Sequence, residues 1–193
     1  MNNKLKIIIL CTCMIFFITI TSCSMFYKNE NIEFVDGVSF SPSKKCENII
    51  IKLIQNSSEQ IDIVVFDINN INIVNELKSA YDNGKKIRIL TDKRQAGGKY
   101  SKVLELYKYG LNIRVHSKHK LEHNKFAVFD KKYVINGSYN WTNAASSKNS
   151  ENCQLTVENT KTIADYKSRF EHLWRINTKK KSDAWFKKKL NQK

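Results

Sequence analysis

The chain has 193 residues, with 33 lysines and arginines against 18 aspartates and glutamates, so its formal net charge is +15. A hydrophobic content of 41% and an aromatic content of 11% exclude an intrinsically disordered chain, and one proline and six glycines exclude a collagen-like or glycine-rich linker architecture. We expect one globular domain, and the positive charge points weakly to an anionic partner, either nucleic acid or an acidic membrane surface.

The first 22 residues are typical of an export signal, because Lys4 and Lys6 precede an uncharged segment, 7–27, rich in Ile, Phe and Leu. Residues 20–23, Ile-Thr-Ser-Cys, resemble the bacterial lipobox. We therefore predict a lipoprotein signal peptide at 1–22, lipidation of Cys23 and a linker at 23–31. An uncleaved membrane anchor and an ordinary signal peptide remain alternatives. All three interpretations predict an exported domain outside the cytoplasm, either membrane-anchored, periplasmic or secreted.

The predicted domain, 32–178, begins with alternating strands and helices. Strands are predicted at 32–40, 61–66, 86–91 and 112–116, and helical spacing of apolar residues occurs at 46–54, 73–81 and 103–107. Beyond residue 116 the order changes to strands at 123–130, 133–136 and 152–157 and an amphipathic helix at 162–177. This order predicts an α/β fold whose mixed, mostly parallel sheet has helices on both faces.

Two cysteines, Cys46 and Cys153, lie within the predicted domain. A disulfide between them is compatible with an exported protein, but sequence spacing cannot show it. We expect two buried thiols that act as small hydrophobic side chains. The sequence has no paired C-x-x-C motif, so it gives no support for a structural zinc site.

The last fifteen residues, 179–193, form a basic C-terminal tail with seven lysines and one aspartate. Such a composition is typical of a solvated, frayed end. The alternative is a surface-binding segment, because Trp185, Phe186 and Leu190 lie among the lysines. The tail would suit a DNA backbone and anionic lipid headgroups about equally well.

The candidate site begins at His123, Lys125 and Asp130, which form the pattern H-x-K-x4-D, and residues 137–140 then form G-S-x-N. In a strand, the side chains of residues 123 and 125 point to the same face, so the imidazole and the ammonium converge. A turn at 137–138 can add the Ser138 hydroxyl and the Asn140 amide. A nucleophile, a cation and two hydrogen-bonding groups suit a phosphate and its oxygens.

With these residues the sequence resembles the phospholipase D superfamily, which is defined by this HKD motif. It is similar to the single-motif branch that contains small bacterial endonucleases and mitochondrial cardiolipin hydrolase. Residues 149–152, Asn-Ser-Glu-Asn, also resemble the family, as do the early segments 38–42, 61–63 and 87–92. The resemblance spans roughly 34–174 and implies a phospholipase D-like sandwich.

The resemblance also implies the role of each site residue. His123 would be the nucleophile that forms a phosphohistidine. Lys125 and Asn140 would bind the phosphate oxygens, assisted by Ser138. Glu151 would accept a hydrogen bond from the other ring nitrogen of His123 and fix its tautomer.

The resemblance further implies that Asp130 fixes local geometry through hydrogen bonds and that the reaction needs no metal or other cofactor. Family members of double length bring two motifs into one active site, where one histidine attacks and the other protonates the leaving oxygen. This sequence has a single copy of the motif. We therefore expect a homodimer that shares one active site on a two-fold axis, with a bell-shaped pH dependence of activity.

Three functions agree with these features. The first is an exported, non-specific endonuclease acting on DNA and RNA, favoured by the basic composition. The second is a phospholipase D acting on a membrane phospholipid such as cardiolipin, for which a lipid anchor would place the enzyme beside its substrate. The third is a non-catalytic module that binds a polyanion or a membrane, disfavoured because every position of the motif is present.

Overall fold

The computed structural model describes residues 33–192. The predicted signal peptide, the lipidation site Cys23 and the linker 23–31 lie outside this part of the chain. Between residues 33 and 192, no helix is long and apolar enough to cross a membrane.

Seven strands and seven helices make up the described part of the chain. The strands are β1 (Gly37–Ser41), β2 (Gln60–Val65), β3 (Lys86–Asp92), β4 (Asn112–His116), β5 (Lys125–Phe129), β6 (Tyr133–Gly137) and β7 (Glu151–Val157). The helices are α1 (Lys45–Asn56), α2 (Ile71–Asp82), α3 (Lys93–Ala96), α4 (Val103–Tyr109), α5 (Asn143–Ser147), α6 (Thr160–Ile176) and α7 (Lys179–Leu190).

The strands form one mixed sheet in the order β1-β7-β6-β5-β2-β3-β4. Only the β2–β3 and β3–β4 pairs are parallel, and the other four pairs are antiparallel. The predicted α/β fold with a mixed sheet is therefore confirmed, but its parallel part is smaller than expected. The reason is that β5 and β6 are joined by a short turn, which permits only antiparallel pairing.

Both faces of the central strands are buried by helices. The larger core lies between the sheet and the helices α1, α2 and α4, and it includes Ile50, Leu77 and Leu106. On the opposite face, Phe170 and Leu173 of α6 pack in a second core. Strand β2 carries an almost continuous run of buried residues because each of its faces meets one of these cores.

The two cysteines of the domain form a disulfide, so the expectation of two free thiols was wrong. Cys46 lies in α1 and Cys153 in β7, with their Cα atoms 5.9 Å apart and a sequence separation of 107. Strand β1 directly precedes α1 and pairs with β7, where Ser39 lies opposite Cys153. This edge pairing brings the two cysteines together, and their sequence spacing gave no sign of it.

The basic tail forms helix α7, which differs from the frayed end expected from its composition. Phe186 is fully buried and stacks on Tyr107 of α4, with the ring centroids 3.9 Å apart. The hydroxyl of Ser182 accepts a hydrogen bond from the backbone N–H of Val115 at 3.1 Å. Because β4 is an edge strand, α7 satisfies and covers backbone that would otherwise be open to pairing with another chain.

Candidate active site

The predicted site residues lie where several neighbouring strands of the sheet begin or end. Strand β2 ends where the antiparallel β5 begins, so Val65 lies opposite Lys125. Likewise, β6 ends at Gly137 near the start of β7, where Gly137 lies opposite Cys153. The fold therefore brings five predicted site residues to the same end of the central strands: His123, Lys125, Ser138, Asn140 and Glu151.

His123 and Lys125 converge on the ring of Phe66, which follows β2. The imidazole of His123 is exposed and lies edge-on to Phe66, with a centroid distance of 4.8 Å. The ammonium of Lys125 lies 5.1 Å from the centroid of the same ring and donates a hydrogen bond to the backbone carbonyl of His123. Phe66 thus supports both motif residues, although the sequence analysis predicted only that it lies in a buried strand.

Lys125 is the most unusual charged group of the site because its side chain is buried while it acts as a cation. Burial lowers the pKa of Lys125, and the negative charges of Glu151 and Glu122 oppose this effect. Among residues 33–192, no carboxylate lies within ion-pair distance of its ammonium. An ammonium that has lost part of its hydration without gaining an anionic partner is well suited to bind an anionic ligand.

Ser138 and Glu151 form a hydrogen-bonded pair beside the motif. The Ser138 hydroxyl donates to Glu151 Oε2 at 2.5 Å, and the amide of Asn149 donates to Oε1 at 3.0 Å. Within the described chain, the His123 ring makes no hydrogen bond with Glu151. The geometry therefore differs from the predicted Glu151–His123 contact, because this carboxylate is already engaged in positioning Ser138.

The turn that carries Ser138 depends on Gly137, whose φ is +147°. A Cβ atom at this position would lie 2.2 Å from the backbone oxygen of Asn152. The same oxygen accepts hydrogen bonds from the backbone N–H groups of Ser138 and Tyr139 at 3.1 and 3.2 Å. A side chain at residue 137 would break this close approach and displace the turn.

Asn140 lies between two buried aromatic residues, Tyr139 and Trp141. Its side-chain oxygen is buried and has no hydrogen-bond partner in the described part of the chain. Such an unpaired polar atom is costly in a folded protein. Because this oxygen can only accept hydrogen bonds, binding of a phosphate oxygen would require the NH₂ group of Asn140.

A buried polar network fixes the turn that contains Asn140. Ser146 Oγ donates to Glu47 Oε2 at 2.7 Å and contacts the hydroxyl of Tyr139, while Asn70 donates to the same carboxylate at 2.9 Å. Burial favours a raised pKa for Glu47, but hydrogen bonds from Asn72, Ser146 and Asn70 outweigh it and keep the pKa lowered. Burial also raises the pKa of Tyr139 to about 12, so its hydroxyl stays protonated.

A second buried network supports the segment that leads into His123. The carboxylate of Glu122 accepts from the Asn124 amide at 2.6 Å and lies 3.4 Å from His116 Nδ1. Asp92 in turn accepts from the backbone N–H of Glu122 at 3.1 Å. Sequence reasoning missed Glu122 because a charged residue beside a motif is normally solvated, and only its position directly before His123 could have drawn attention to it.

Asp130 lies away from the other motif residues, after the far end of β5. Its carboxylate accepts hydrogen bonds from the backbone N–H groups of Ser58, Glu59 and Gln60 at 2.6 to 2.9 Å, and one from the Ser58 hydroxyl at 3.2 Å. It thereby fixes the start of β2. The five residues of β5 separate it from the site by about 16 Å.

Residues 33–192 contain no cluster of three or more histidine, cysteine, aspartate or glutamate side chains arranged to hold a metal ion. The polar groups at the site are instead one imidazole, one ammonium, one amide and a hydroxyl–carboxylate pair. These groups can bind a tetrahedral anion and attack its central atom.

A mixed sheet between two helical layers, with the H-x-K motif at the start of β5, defines the phospholipase D-like fold class. The family described as "Cardiolipin synthase, PLD-like domain" matches residues 50–174. The chain therefore belongs to the phospholipase D superfamily, and the predicted family membership is confirmed.

Similar proteins differ in their described activities. A "Phospholipase D" of Rickettsia prowazekii is 32% identical over 127 residues, which are 66% of this chain and 62% of that relative. A "Mitochondrial cardiolipin hydrolase" of Chlamydomonas reinhardtii is 31% identical over 61% of this chain and 52% of its own length. The match thus spans between half and two-thirds of these relatives.

Two solved structures share the fold over almost their whole length. Nuc of Salmonella typhimurium, a phospholipase D family member, has a TM-score of 0.70 at 23% identity and is covered to 96%, against 75% of this chain. NucT of Helicobacter pylori has a TM-score of 0.66 at 26% identity and is also covered to 96%, against 73% of this chain.

Proposed function

We propose that the protein is a phosphodiesterase that acts on nucleic acid as a non-specific endonuclease. The observation that carries the proposal is the buried, unpaired ammonium of Lys125 beside the exposed imidazole of His123. A phosphodiester would supply the anion that Lys125 lacks and the phosphorus atom that His123 attacks. The NH₂ group of Asn140 would donate to a remaining phosphate oxygen, and Ser138 would assist when its hydroxyl turns from Glu151 to the phosphate.

In the proposed reaction, a ring nitrogen of His123 attacks phosphorus as the bond to the leaving oxygen breaks. A second, protonated histidine gives its proton to that oxygen. Water then attacks the phosphohistidine and loses a proton to the second histidine, while the bond between phosphorus and His123 breaks. The products are an alcohol and a phosphomonoester, and both histidines return to their starting states.

The second histidine would come from a second copy of the chain. The sequence has one H-x-K-x4-D motif, and the exposure of His123 and Ser138 leaves the site open in a single chain. Apolar side chains flank this opening: Leu121 precedes His123 by two residues, and Phe40, which is 67% exposed, lies opposite Asn152. A two-fold partner over the site would cover them and complete the catalytic pair.

The dimer is tested by the pH dependence of the rate together with the mass of the particle in solution. Because one histidine must be neutral and the other protonated, we expect a bell-shaped profile and a particle of two chains. A rate that rises monotonically with pH, or full activity in a monomer, would contradict the two-histidine scheme.

Hydrolysis of a membrane phospholipid is the second candidate function. It is supported by the relatives described as phospholipase D and as mitochondrial cardiolipin hydrolase, and by the predicted lipid anchor at Cys23. For either substrate, nucleic acid or phospholipid, we propose that the protein is exported and attached to a membrane through its N-terminal segment. The net charge of +15 favours a polyanionic substrate such as DNA or RNA, and for that reason we place the nuclease first.

The functions are separated by incubating the purified protein with plasmid DNA, single-stranded RNA and cardiolipin vesicles, each in the presence of EDTA. We expect cleavage of both nucleic acids, and loss of that cleavage in a His123→Asn variant. Turnover of cardiolipin alone would replace the nuclease with the phospholipase. If neither substrate is turned over and the variant binds polyanions as the unchanged protein does, the protein is a binding module.

A further inference from the structure

A basic groove lies between the segment that joins α3 to α4 and the C-terminal end of α7. Its volume is about 440 Å³, and its lining includes Lys99, Tyr100, Lys102, Glu105, Lys108 and Leu190. Glu105 accepts hydrogen bonds from Lys78 at 2.5 Å and Lys102 at 2.9 Å, so its charge is already balanced. Lys99 and Lys108 are exposed, and they leave the groove with a positive charge.

The groove is connected to the site through the backbone. The N–H of Lys102 donates to the carbonyl of Ile68 at 2.9 Å, and Ile68 forms a β-bridge with Trp141. Trp141 directly follows Asn140. Lys102, which lines the groove, is therefore joined to the turn that carries Asn140 by one hydrogen bond and one β-bridge.

Helix α7 carries exposed lysines, while its two aromatic side chains pack inward. Phe186 is fully buried, and Trp185 packs so closely that a Cβ atom on Gly97 would lie 3.4 Å from its ring. Lys187 and Lys188 are exposed. The helix lies beyond residue 174, where the family match ends, so it adds positive charge to the shared domain.

We propose that this groove binds the phosphodiester backbone of a single-stranded nucleic acid and that Tyr100 stacks on one of its bases. Tyr100 is 73% exposed, and the ammonium of Lys99 lies 5.4 Å from its ring centroid. Lysines that follow a backbone, together with an exposed aromatic ring, are the features that bind single strands without sequence preference. The groove thus indicates that the substrate of the proposed nuclease is a single-stranded nucleic acid. This inference rests on the proposed function.

The same observations disfavour a lipid bilayer as the occupant. A membrane-binding helix inserts its aromatic side chains into the interface. In α7, however, Phe186 is buried in the core and Trp185 packs against Gly97 and Phe186. The concave shape of the groove also fits a narrow strand better than a broad surface.

Binding is tested separately from cleavage by placing all variants in the full-length His123→Asn protein. The probe is a fluorescent 20-nucleotide single-stranded DNA, measured by anisotropy at several salt concentrations. We expect Tyr100→Ala to weaken binding about 5- to 150-fold, as for loss of one stacked base. The double variant Lys99→Gln/Lys108→Gln should weaken binding and reduce the slope of log affinity against log salt by about 1.4, the value for two phosphate contacts to a single strand.

The matched control is Lys45→Gln/Lys52→Gln, which removes two exposed lysines from α1. Equal losses in the control and the groove variant would overturn the proposal, because binding would then follow total charge. Unchanged DNA binding in the groove variants would also overturn it. So would groove variants that lose binding to anionic phospholipid vesicles but keep their binding to DNA. The two proposals fail separately: a groove that binds DNA in a protein whose unchanged form has no nuclease activity rejects only the proposed function. Normal cleavage by the unchanged protein, together with normal DNA binding by the groove variants, rejects only the groove.

Discussion

The two ends of strand β5 hold the motif residues in opposite states. Before its first residue, the His123 imidazole is exposed and makes no hydrogen bond with any other residue of 33–192. After its last residue, Asp130 accepts four hydrogen bonds from three consecutive residues. One motif therefore combines a group left open for a ligand with a group fully used by the fold.

The motif therefore divides into an active end at the start of β5, with His123 and Lys125, and a structural end after β5, with Asp130. Groups at the active end are left partly unpaired, as with the Lys125 ammonium and the Asn140 side-chain oxygen. Unpaired groups lower stability, and of these two the Lys125 ammonium is the one that can bind an anionic ligand. At the opposite end both carboxylate oxygens of Asp130 are occupied, so Asp130 contributes to stability and holds β2 beside β5.

The largest expected effect is the loss of activity in His123→Asn. Removal of the nucleophile should lower the rate of phosphodiester hydrolysis at least about 10²- to 10⁴-fold, the range of a lost acid-base group. Because His123 is exposed, its free energy of unfolding should change little, by about 0.5 kcal/mol or less. The measurements are initial rates on a defined oligonucleotide and urea unfolding of the same samples.

Asp130→Asn is the matched comparison, because it changes the motif at the other end of the strand. If His123→Asn unfolds the protein, or if it keeps the full rate, the division between the two ends is wrong. The same conclusion follows if Asp130→Asn abolishes the rate in a sample that is fully folded.

A covalent link strengthens the active end, and its removal should give the next largest effect. The Cys46–Cys153 disulfide joins α1 to β7 two residues after Glu151, and it closes a long loop. Replacement of both cysteines by alanine should lower the free energy of unfolding by about 2–5 kcal/mol. Urea unfolding with and without dithiothreitol provides the control, because the reductant should destabilise only the protein with cysteines. Equal midpoints for both proteins under non-reducing conditions would show that the link adds no stability.

The sequence predicted those features that depend on residues close together in the chain, and it missed those that depend on distant residues. The H-x-K and G-S-x-N patterns predicted which residues lie together at the candidate site, because alternation along a strand and a single tight turn are local. The Cys46–Cys153 disulfide and the docking of Phe186 on Tyr107 depend on which strands lie at the edges of the sheet, which no local pattern encodes. Glu122 was missed for a related reason, since its partners His116 and Asp92 come from other strands.

Asp130→Asn should lower the free energy of unfolding by about 1–3 kcal/mol, a smaller effect than loss of the disulfide. An asparagine tolerates the positive φ of 50° at this residue, so the backbone is not strained by the change. Its NH₂ group, however, must face either the N–H of Ser58 or those of Glu59 and Gln60, and a donor cannot replace an acceptor there. Urea unfolding measures the loss, and an unchanged midpoint would remove the architectural role of Asp130.

The smallest effect is a dependence of stability on pH that originates at His116. This ring is buried, and burial lowers its pKa from the usual 6.5, although the charges of Glu122 and Asp92 partly oppose the shift. Its Nε2 accepts a hydrogen bond from the backbone N–H of His119 at 2.8 Å, which requires that nitrogen to be unprotonated. The folded protein therefore resists protonation of a group that the unfolded chain protonates readily.

The sign of the effect follows from that difference. Stability from neutral His116 is fully present above about pH 6.5 and falls by up to about 1.4 kcal/mol per pH unit as the pH drops from there through the folded-state pKa. A His116→Gln variant should lose less stability than the unchanged protein between pH 7 and pH 5, in urea unfolding at each pH. The control is His172→Gln, which removes an exposed histidine of α6. If both variants show the same pH dependence as the unchanged protein, His116 makes no contribution to it, and acid weakening of the segment before His123 must have another origin.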